Sequence, residues 1–323
     1  MKRSLKIGIT LMVLGAVLFG IGWMNHGDKA VVWNKSTRGF KTIQEVKRSY
    51  HPGDYQRIVV DSKAPVTIKD GDTNRVTVSY MDGDASLPKA SVDKGTLTIK
   101  GGNSARHLNV SIFSLSDRST TNGGVLITVP RDKKLDSIVV KKGSGSLSLR
   151  QLQAKQVAIE NTDDVNLYAL RVDRNVTVNS TDGDIYADHV RAQQLRVNAD
   201  DGDMGISNSQ LTANDNQFTS TDGDVRVSTS RLGGGRIDSN DGDVNLQGNR
   251  ITRKLKVSTN DGDIHADIAK SAGAKVFSQD ADMSDITVLG RHRHSGYWLR
   301  REAKSQYQLT AGDGDVRVSN QTD

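Results

Sequence analysis

The chain of 323 residues contains no cysteine. That removes disulfide scaffolds, thiolate zinc sites, cysteine nucleophiles and a lipid anchor on an N-terminal cysteine. A chain without thiols suits exposure outside a bacterial cell. Proline occurs four times, at Pro52, Pro65, Pro88 and Pro130, and is absent from the last 193 residues, so nothing there interrupts backbone pairing by ring chemistry. Aromatics are 5% and apolar residues 35%, lean for an enzyme with a thick core but not the composition of a disordered chain. A basic folded region is also missing. Residues 1–60 hold ten Lys/Arg against three Asp/Glu, and residues 61–323 hold 34 against 35, so the formal charge of +6 belongs to the first segment. Nucleic acid is therefore not an expected partner.

One long apolar run exists, Ile7 to Met24, and it carries no charge. Eighteen residues of helix rise about 27 Å, close to the hydrocarbon core of a bilayer. Lys2, Arg3 and Lys6 precede it and Trp23 sits near its far end. The positive-inside rule then predicts residues 1–6 as a cytoplasmic basic end, 7–24 as a single-pass anchor, and the remainder as exported. A cleaved signal peptide is the alternative. It is disfavoured by the length of the run and by the lack of an A-x-A site. Residues 25–56 read as a polar juxtamembrane linker, with a short helix around Thr42–Arg48.

From Arg57 to Asn320 the pattern is that of β-strands. Ile58-Val59-Val60, Val66-Thr67-Ile68 and Val76-Thr77-Val78 alternate or run apolar between Asp-Gly turns. Residues 101–124 are polar and read as an insertion loop. Beyond residue 140 a corner motif recurs: Thr181-Asp182-Gly183-Asp184-Ile185, Asp200-Asp201-Gly202-Asp203-Met204, Thr221-Asp222-Gly223-Asp224-Val225, Asn240-Asp241-Gly242-Asp243-Val244 and Asn260-Asp261-Gly262-Asp263-Ile264. Degenerate copies centre on 145, 163 and 281, and a last good one on Gly314. The spacings are 18, 20, 19, 21, 19, 20, 19 and 33. A fixed period near twenty with alternating apolar residues on both sides of the turn predicts an all-β, parallel β-solenoid of about nine short rungs over residues 57–323. Each rung has one strand before the corner and one after. The 33-residue interval predicts a cap hairpin over 284–307.

The anchor, the Val66-x-Ile68-x-x-Gly71-Asp72 unit, the Ile127-Thr128-Val129-Pro130 strand and the repeated Asp-Gly-Asp rungs together resemble the bacterial "putative adhesin" β-strand-repeat domain. This is a domain of unknown function found also in Lia-type envelope-stress proteins of Gram-positive bacteria. The resemblance implies a β-repeat fold at the cell envelope and defines no catalytic residue.

Three features carry candidate chemistry. The corner aspartates have a structural reading, in which Gly gives close approach or a positive φ and Asp bonds backbone amides. They also have a metal reading, in which Asp182, Asp201, Asp222, Asp241 and Asp261 form one column and Asp184, Asp203, Asp224, Asp243 and Asp263 another, both suited to calcium. No other cofactor is implied. The small residues before each corner, Ser180, Ala199, Ser220, Ser239, Thr259 and Ser278, lack a histidine or acid at a recurring offset and form no triad. The third is the basic stretch Arg291, Arg293, Arg300 and Arg301 with Tyr297 and Trp298. It reads as a cap in which Trp298 covers apolar rung ends, or as a loop binding an anionic or sugar polymer. The function expected is non-enzymatic: binding or sensing a cell-envelope polymer, anionic lipid or membrane protein, or scaffolding stress proteins. A β-helix polysaccharide lyase or hydrolase is the alternative, weakened because regular rungs leave few loops to wall a cleft.

Overall fold

The computed structural model describes residues 2–24, 31–34, 39–42, 45–81, 87–102, 124–141, 143, 145–279 and 285–321. The expected insertion over 101–124 lies outside these residues except at Gly101, Gly102 and Gly124. Lys2–Met24 form one α-helix of 23 residues, a rise of about 34 Å. Its apolar side chains, Leu11, Met12, Leu18 and Phe19 among them, stand exposed. Among the described residues no helix is long and apolar enough to cross a membrane. The uncharged run of the sequence includes Trp23, whose side chain falls outside that set.

Beyond the helix the chain is all-β, built on two long sheets dominated by parallel pairs. One sheet stacks the strands that precede the corners: Asn175–Ser180, Gln194–Ala199, Asn216–Ser220, Gly235–Ser239 and Lys254–Thr259. The other stacks the strands that follow: Ile185–Asp188, Met204–Ser207, Val225–Ser228, Val244–Gln247 and Ile264–Ile268. The coils also have a third, short side absent from the two-strand reading of the sequence. Arg171–Val172, Arg191–Ala192, Gln210–Leu211, Arg231–Leu232 and Arg250–Ile251 pair in parallel register from coil to coil. Two residues are too few for an alternating pattern to be visible.

Alternation supplies the core. Ile185 and Ala187, Met204 and Ile206, Val225 and Val227, Val244 and Leu246 point inward from one sheet; Val176, Val178, Leu195, Val197, Phe218 and Ile237 point inward from the other. Val172, Ala192, Leu211, Leu232 and Ile251 close the third side. Each fully buried Leu, Ile or Val contributes about 1.5–3 kcal/mol, which a lone coil cannot realise without a neighbour above and below. Asn216 is a buried amide among these apolar positions. It accepts the Leu195 amide at 3.0 Å, and donates to the carbonyls of Ala213 at 2.8 Å and Gly234 at 2.9 Å. Its side chain thereby satisfies backbone groups on three segments, the Gly234 carbonyl of the bend Gly233-Gly234-Gly235 among them.

The coils do not stack in chain order at either end, which corrects the sequential stacking expected from the repeat. Gln306–Ala311 inserts between Lys254–Thr259 and Gly273–Ser278, and Val316–Asn320 between Ile264–Ile268 and Ile286–Val288. The chain thus builds its outermost coil first and returns to fill the place beneath. At the other end the order is reversed, the inner coil coming first in the chain: Arg57–Asp61 lies between Thr96–Lys100 and Lys134–Val140, and Val66–Gly71 between Gly124–Pro130 and Leu147–Arg150. The excursions that allow these returns cover the open edges with antiparallel strands. Lys89–Asp93 and Arg75–Met81 do so at one end, Trp298–Leu299 and Arg291–His292 at the other. A parallel stack would otherwise present unpaired amides and carbonyls in both sheets at both ends.

Strand structure also reaches back into the segment read as linker. Glu45–Tyr50 pairs antiparallel with Arg75–Met81, replacing the short helix expected around Thr42–Arg48. The open edge of Arg75–Met81 accounts for this, because a helix there would leave its amides and carbonyls unmatched. Arg48 lies over the Tyr80 ring at 5.6 Å and Ser49 meets Thr77 at 3.2 Å across the pair.

Candidate functional site

The corner motif resolves into three columns with separate tasks. The glycines are held by close approach more than by backbone angle. A Cβ on Gly223, Gly242, Gly262 or Gly314 would lie 2.0–2.2 Å from the glycine carbonyl oxygen of the neighbouring coil. The second aspartates form a ladder. Asp184 Oδ1 accepts the amide of Asp203 at 3.0 Å, Asp203 that of Asp224 at 3.0 Å, Asp224 that of Asp243 at 2.9 Å and Asp243 that of Asp263 at 2.8 Å. It continues from Asp263 to Asp315 and from Asp315 to Asp285, each at 2.8 Å, following spatial and not chain order. The first aspartates, Asp182, Asp201, Asp222, Asp241 and Asp261, stand exposed. Among the described residues no group of three or more histidines and acids is placed to hold a metal ion.

The small hydroxyls before the corners close the turns. Ser220 Oγ donates to the Gly223 carbonyl at 2.8 Å and accepts the Gly223 amide at 3.2 Å. Thr259 Oγ1 accepts the Gly262 amide at 3.1 Å and donates to the Gly242 carbonyl at 3.2 Å. The oxygens of Ser220 and Thr259 are committed to backbone groups, whereas the buried Ser239 Oγ has no partner among the described residues.

The other corner, past the four-residue strand, carries a column that sequence reasoning did not single out. Arg171, Arg191, Gln210, Arg231 and Arg250 stand in register on the third side, with Gln153 extending the line below Arg171. The arginines are exposed. Among the described residues none of the four is ion-paired with an acid. Adjacent coils lie about 4.8 Å apart, where like charges repel by about 0.9 kcal/mol even in a water-like dielectric. The residue before each column position is buried, Leu170 and Val190 as apolar residues and Ser209, Ser230 and Asn249 as polar ones that bond the preceding corner. Ser209 Oγ accepts the Val190 amide, Ser230 Oγ the Ser209 amide, and Asn249 Oδ1 the Ser230 amide, at 3.1, 3.1 and 3.0 Å. The platform under the arginines is therefore fixed by hydrogen bonds inside the wall.

Two grooves open beside this column. One, of about 390 Å³, is lined by Arg131, Gln153, Arg171, His189, Arg191 and Asn208 among others. The other, of about 260 Å³, includes Arg171, Arg191, Gln193 and Gln210. Of the acids nearby, Asp70 lines the larger groove without an ion-pair partner among the described residues, whereas Asp173 and Asp188 are occupied. Asp173 is bound by Lys134 at 2.6 Å. Asp188 accepts from Ser207 and Asn208, each at 2.8 Å, and meets His189 at 2.8 Å. Partial burial raises the Asp188 carboxyl, but bonds from Asn208, His189 and Ser207 together outweigh it and hold the group below its usual range. The constant offset of seven residues from the second corner aspartate to the column, Asp184 to Arg191 and Asp224 to Arg231, was the available signal.

The basic stretch at the end of the stack is divided. Arg291 lies on the edge strand of one sheet and Trp298 on that of the other. Arg293 covers the Tyr297 ring at 4.7 Å. Arg301 and Lys275 flank the Trp298 ring at 5.6 and 5.0 Å. Arg300 donates to the Ala272 carbonyl and to Asn320 Oδ1, both at 2.9 Å. Trp298, 38% exposed, does not cover the rung ends: its neighbours Tyr297 and Leu299 pack against the core, because successive residues of an edge strand face opposite ways.

A stack of short parallel coils with charged columns along its corners defines a β-solenoid in architecture. The chain belongs to the Toastrack DUF4097 family, whose model matches residues 55–319. Among solved structures it is similar to a "putative adhesin" from Bacteroides fragilis NCTC 9343 (12% identity, TM-score 0.37, 85% of this chain and 97% of that one). It is likewise similar to one from Parabacteroides merdae ATCC 43184 (10% identity, TM-score 0.41, 85% and 96%). A "Putative lipid binding protein" from Parabacteroides distasonis ATCC 8503 is similar at 15% identity, with a TM-score of 0.36 over 86% and 95% of the two chains. No curated protein matches the chain.

Proposed function

We propose that the chain is a membrane-tethered, extracytoplasmic binding module of the cell envelope and not an enzyme. The observation that carries this is the helix Lys2–Met24, whose side chains from Ile7 to Ile21 are uncharged and, except for Thr10 with its hydroxyl donated to the Lys6 carbonyl, apolar, with the large ones exposed. A helix without a polar face is stable in lipid and costly in water. Lys2, Arg3 and Lys6 keep its start cytoplasmic and send the solenoid outward. Many of the solenoid's corner carboxylates hold backbone amides of adjacent coils, which counts against their serving as a hydrolytic acid and base pair. Anionic polymers or headgroups of the envelope are the ligands this reading expects, with Arg291, Arg293, Arg301, Tyr297 and Trp298 as contact residues spread over the two sheet edges at the end of the stack and Arg300 as their brace.

The test is fractionation of cells expressing the full chain, followed by external protease. The expected result is a chain that resists alkaline carbonate extraction and whose solenoid is cleaved from outside intact cells. Recovery in the soluble fraction, or protection of the solenoid until cells are lysed, overturns the reading.

A further inference from the structure

The geometry points to the arginine column as a binding site for a linear phosphate polymer lying along the solenoid axis. This deepens the binding reading above and rests on it only for where the polymer is met. Arg171, Arg191, Arg231 and Arg250 present one guanidinium per coil, with Gln210 supplying neutral hydrogen-bonding groups in the gap and Gln153 extending the line at one end. A straight row of cations at coil spacing matches a ligand whose charges also recur along a line, better than it matches a compact anion that one or two arginines would satisfy. The planar fork of each guanidinium fits two phosphate oxygens.

Three further observations support occupancy by an anion. The four arginines repel one another and none is ion-paired among the described residues, so a polyanion would relieve a charge that the fold leaves unbalanced. The backbone corners that carry Arg191, Gln210 and Arg231 are set by the buried Ser209, Ser230 and Asn249 bonds, so the spacing of these positions is fixed before any ligand arrives. The nearby acids Asp173 and Asp188 are bound by their own partners, which leaves Asp70, at the Arg171 end of the larger groove, as the one acid among the described residues that faces the row. The two grooves beside the row lack a Phe, Tyr or Trp in their linings, His189 being the one ring present. A ligand whose bases need stacking platforms is therefore poorly served, which favours a polymer of phosphates without bases.

The experiment uses the full chain in neutral-detergent micelles and labelled long-chain polyphosphate, with binding followed by fluorescence anisotropy across a salt series. One variant carries Arg→Gln at 171, 191, 231 and 250. Glutamine already occupies the column at Gln210, so the fold should accept it, and melting by circular dichroism checks this. A second variant carries Arg→Lys at the same four positions, keeping charge and losing the fork. A control removes four charges from the outward faces of the two sheets, at Arg196, Arg226, Lys256 and Arg317, each to Gln. The expected result is a loss of at least about tenfold in affinity and a shallower salt dependence for the Gln column variant. The Lys variant should fall between that and the unaltered chain, and the control should change less than about threefold. Equal loss in column and control variants would reduce the effect to diffuse charge and overturn the site, as would absence of binding by the unaltered chain. Tighter binding of oligo(dT), or loss of anionic-vesicle binding with polyphosphate binding unchanged, would also overturn it by assigning the row to nucleic acid or to lipid. Membrane fractionation of the Gln variant should be unchanged, so failure here leaves the tether reading standing and failure there leaves this one testable.

Discussion

Asp243 Oδ1 accepts the backbone amide of Asp263 at 2.8 Å, one coil away, and Asp263 does the same for Asp315 although 52 residues separate them in the chain. The second aspartate of each corner is thus a bracket for the next coil. An amide oxygen can accept the same bond. Asp243→Ala should cost about 1 kcal/mol, whereas Asp243→Asn should keep the bond, shed one like charge and melt at or above the temperature of the unaltered chain. Thermal melts with and without EDTA check this. An Asn variant as unstable as the Ala variant, with a melting temperature of the unaltered chain that EDTA lowers and calcium restores, would assign the column to a cation.

The glycine beside it answers to a harder constraint. A Cβ at position 242 would sit 2.1 Å from the Gly223 carbonyl oxygen, and neither is the end of a flexible side chain. Gly242→Ala must therefore push neighbouring coils apart along the corner. A loss of about 3 kcal/mol or more is expected. Gly53→Ala, where nothing lies within 4 Å, should stay within about 0.5 kcal/mol. Urea denaturation of the two variants compares them directly, and a mild effect at position 242 would mean that the corners are more loosely stacked than this contact implies.

What the sequence disclosed follows from which signals are local. The Asp-Gly-Asp corners and alternating runs such as Val225-Arg226-Val227 state their structure within a few residues, so the solenoid and its period were legible. The coil order was not, because Gln306–Ala311 has the same pattern as any other strand and its place between two earlier coils depends on which edge remains free. The arginine column lay at a constant seven-residue offset from the corner. It was obscured by Gln210 and by strands of two residues, too short to show a period. The outward placement of Trp298 was not legible either, because its strand is two residues long and only its neighbours Tyr297 and Leu299 pack against the core.

Burial of ionisable groups gives a pH dependence. Tyr55 is fully buried with no hydrogen-bond partner for its hydroxyl, and burial, then the charge of Asp54, pushes that hydroxyl up to about 12. The raised value means that the protonated form is favoured by folding. Stability is full below the ordinary tyrosine value near 10, then falls as the unfolded chain ionises first, by up to about 1.4 kcal/mol per pH unit until the folded group titrates. Tyr307 is pushed in the same direction by burial. Melting temperature should therefore drop between about pH 10 and 12, and Tyr55→Phe should flatten some of that drop. A profile that the Phe variant leaves unchanged would mean that the Tyr55 hydroxyl reaches water in the folded state.

At the end of the stack, Arg300 and Trp298 make opposing claims to be the residue that holds the last coils. Arg300 reaches both of them: Ala272 precedes the strand Gly273–Ser278 of the outermost coil, and Asn320 ends the strand Val316–Asn320 inserted beneath it. Its backbone adopts a positive φ of 49° to do so. Trp298 lies on the outward parity of its strand, with Lys275 and Arg301 over its ring. Contacts of that kind contribute about 0.5–1 kcal/mol each at exposed sites, whereas a hydrogen bond from a charged donor contributes about 1.5–3. Arg300→Ala should therefore destabilise more than Trp298→Ala. Its effect should appear first as faster amide exchange over residues 286–320, before the central coils open. Leu299→Ala, on the inward parity, should resemble Arg300→Ala. If Trp298→Ala instead proves the most damaging of the three, the ring covers apolar surface after all and the order of these contributions at the stack end is reversed.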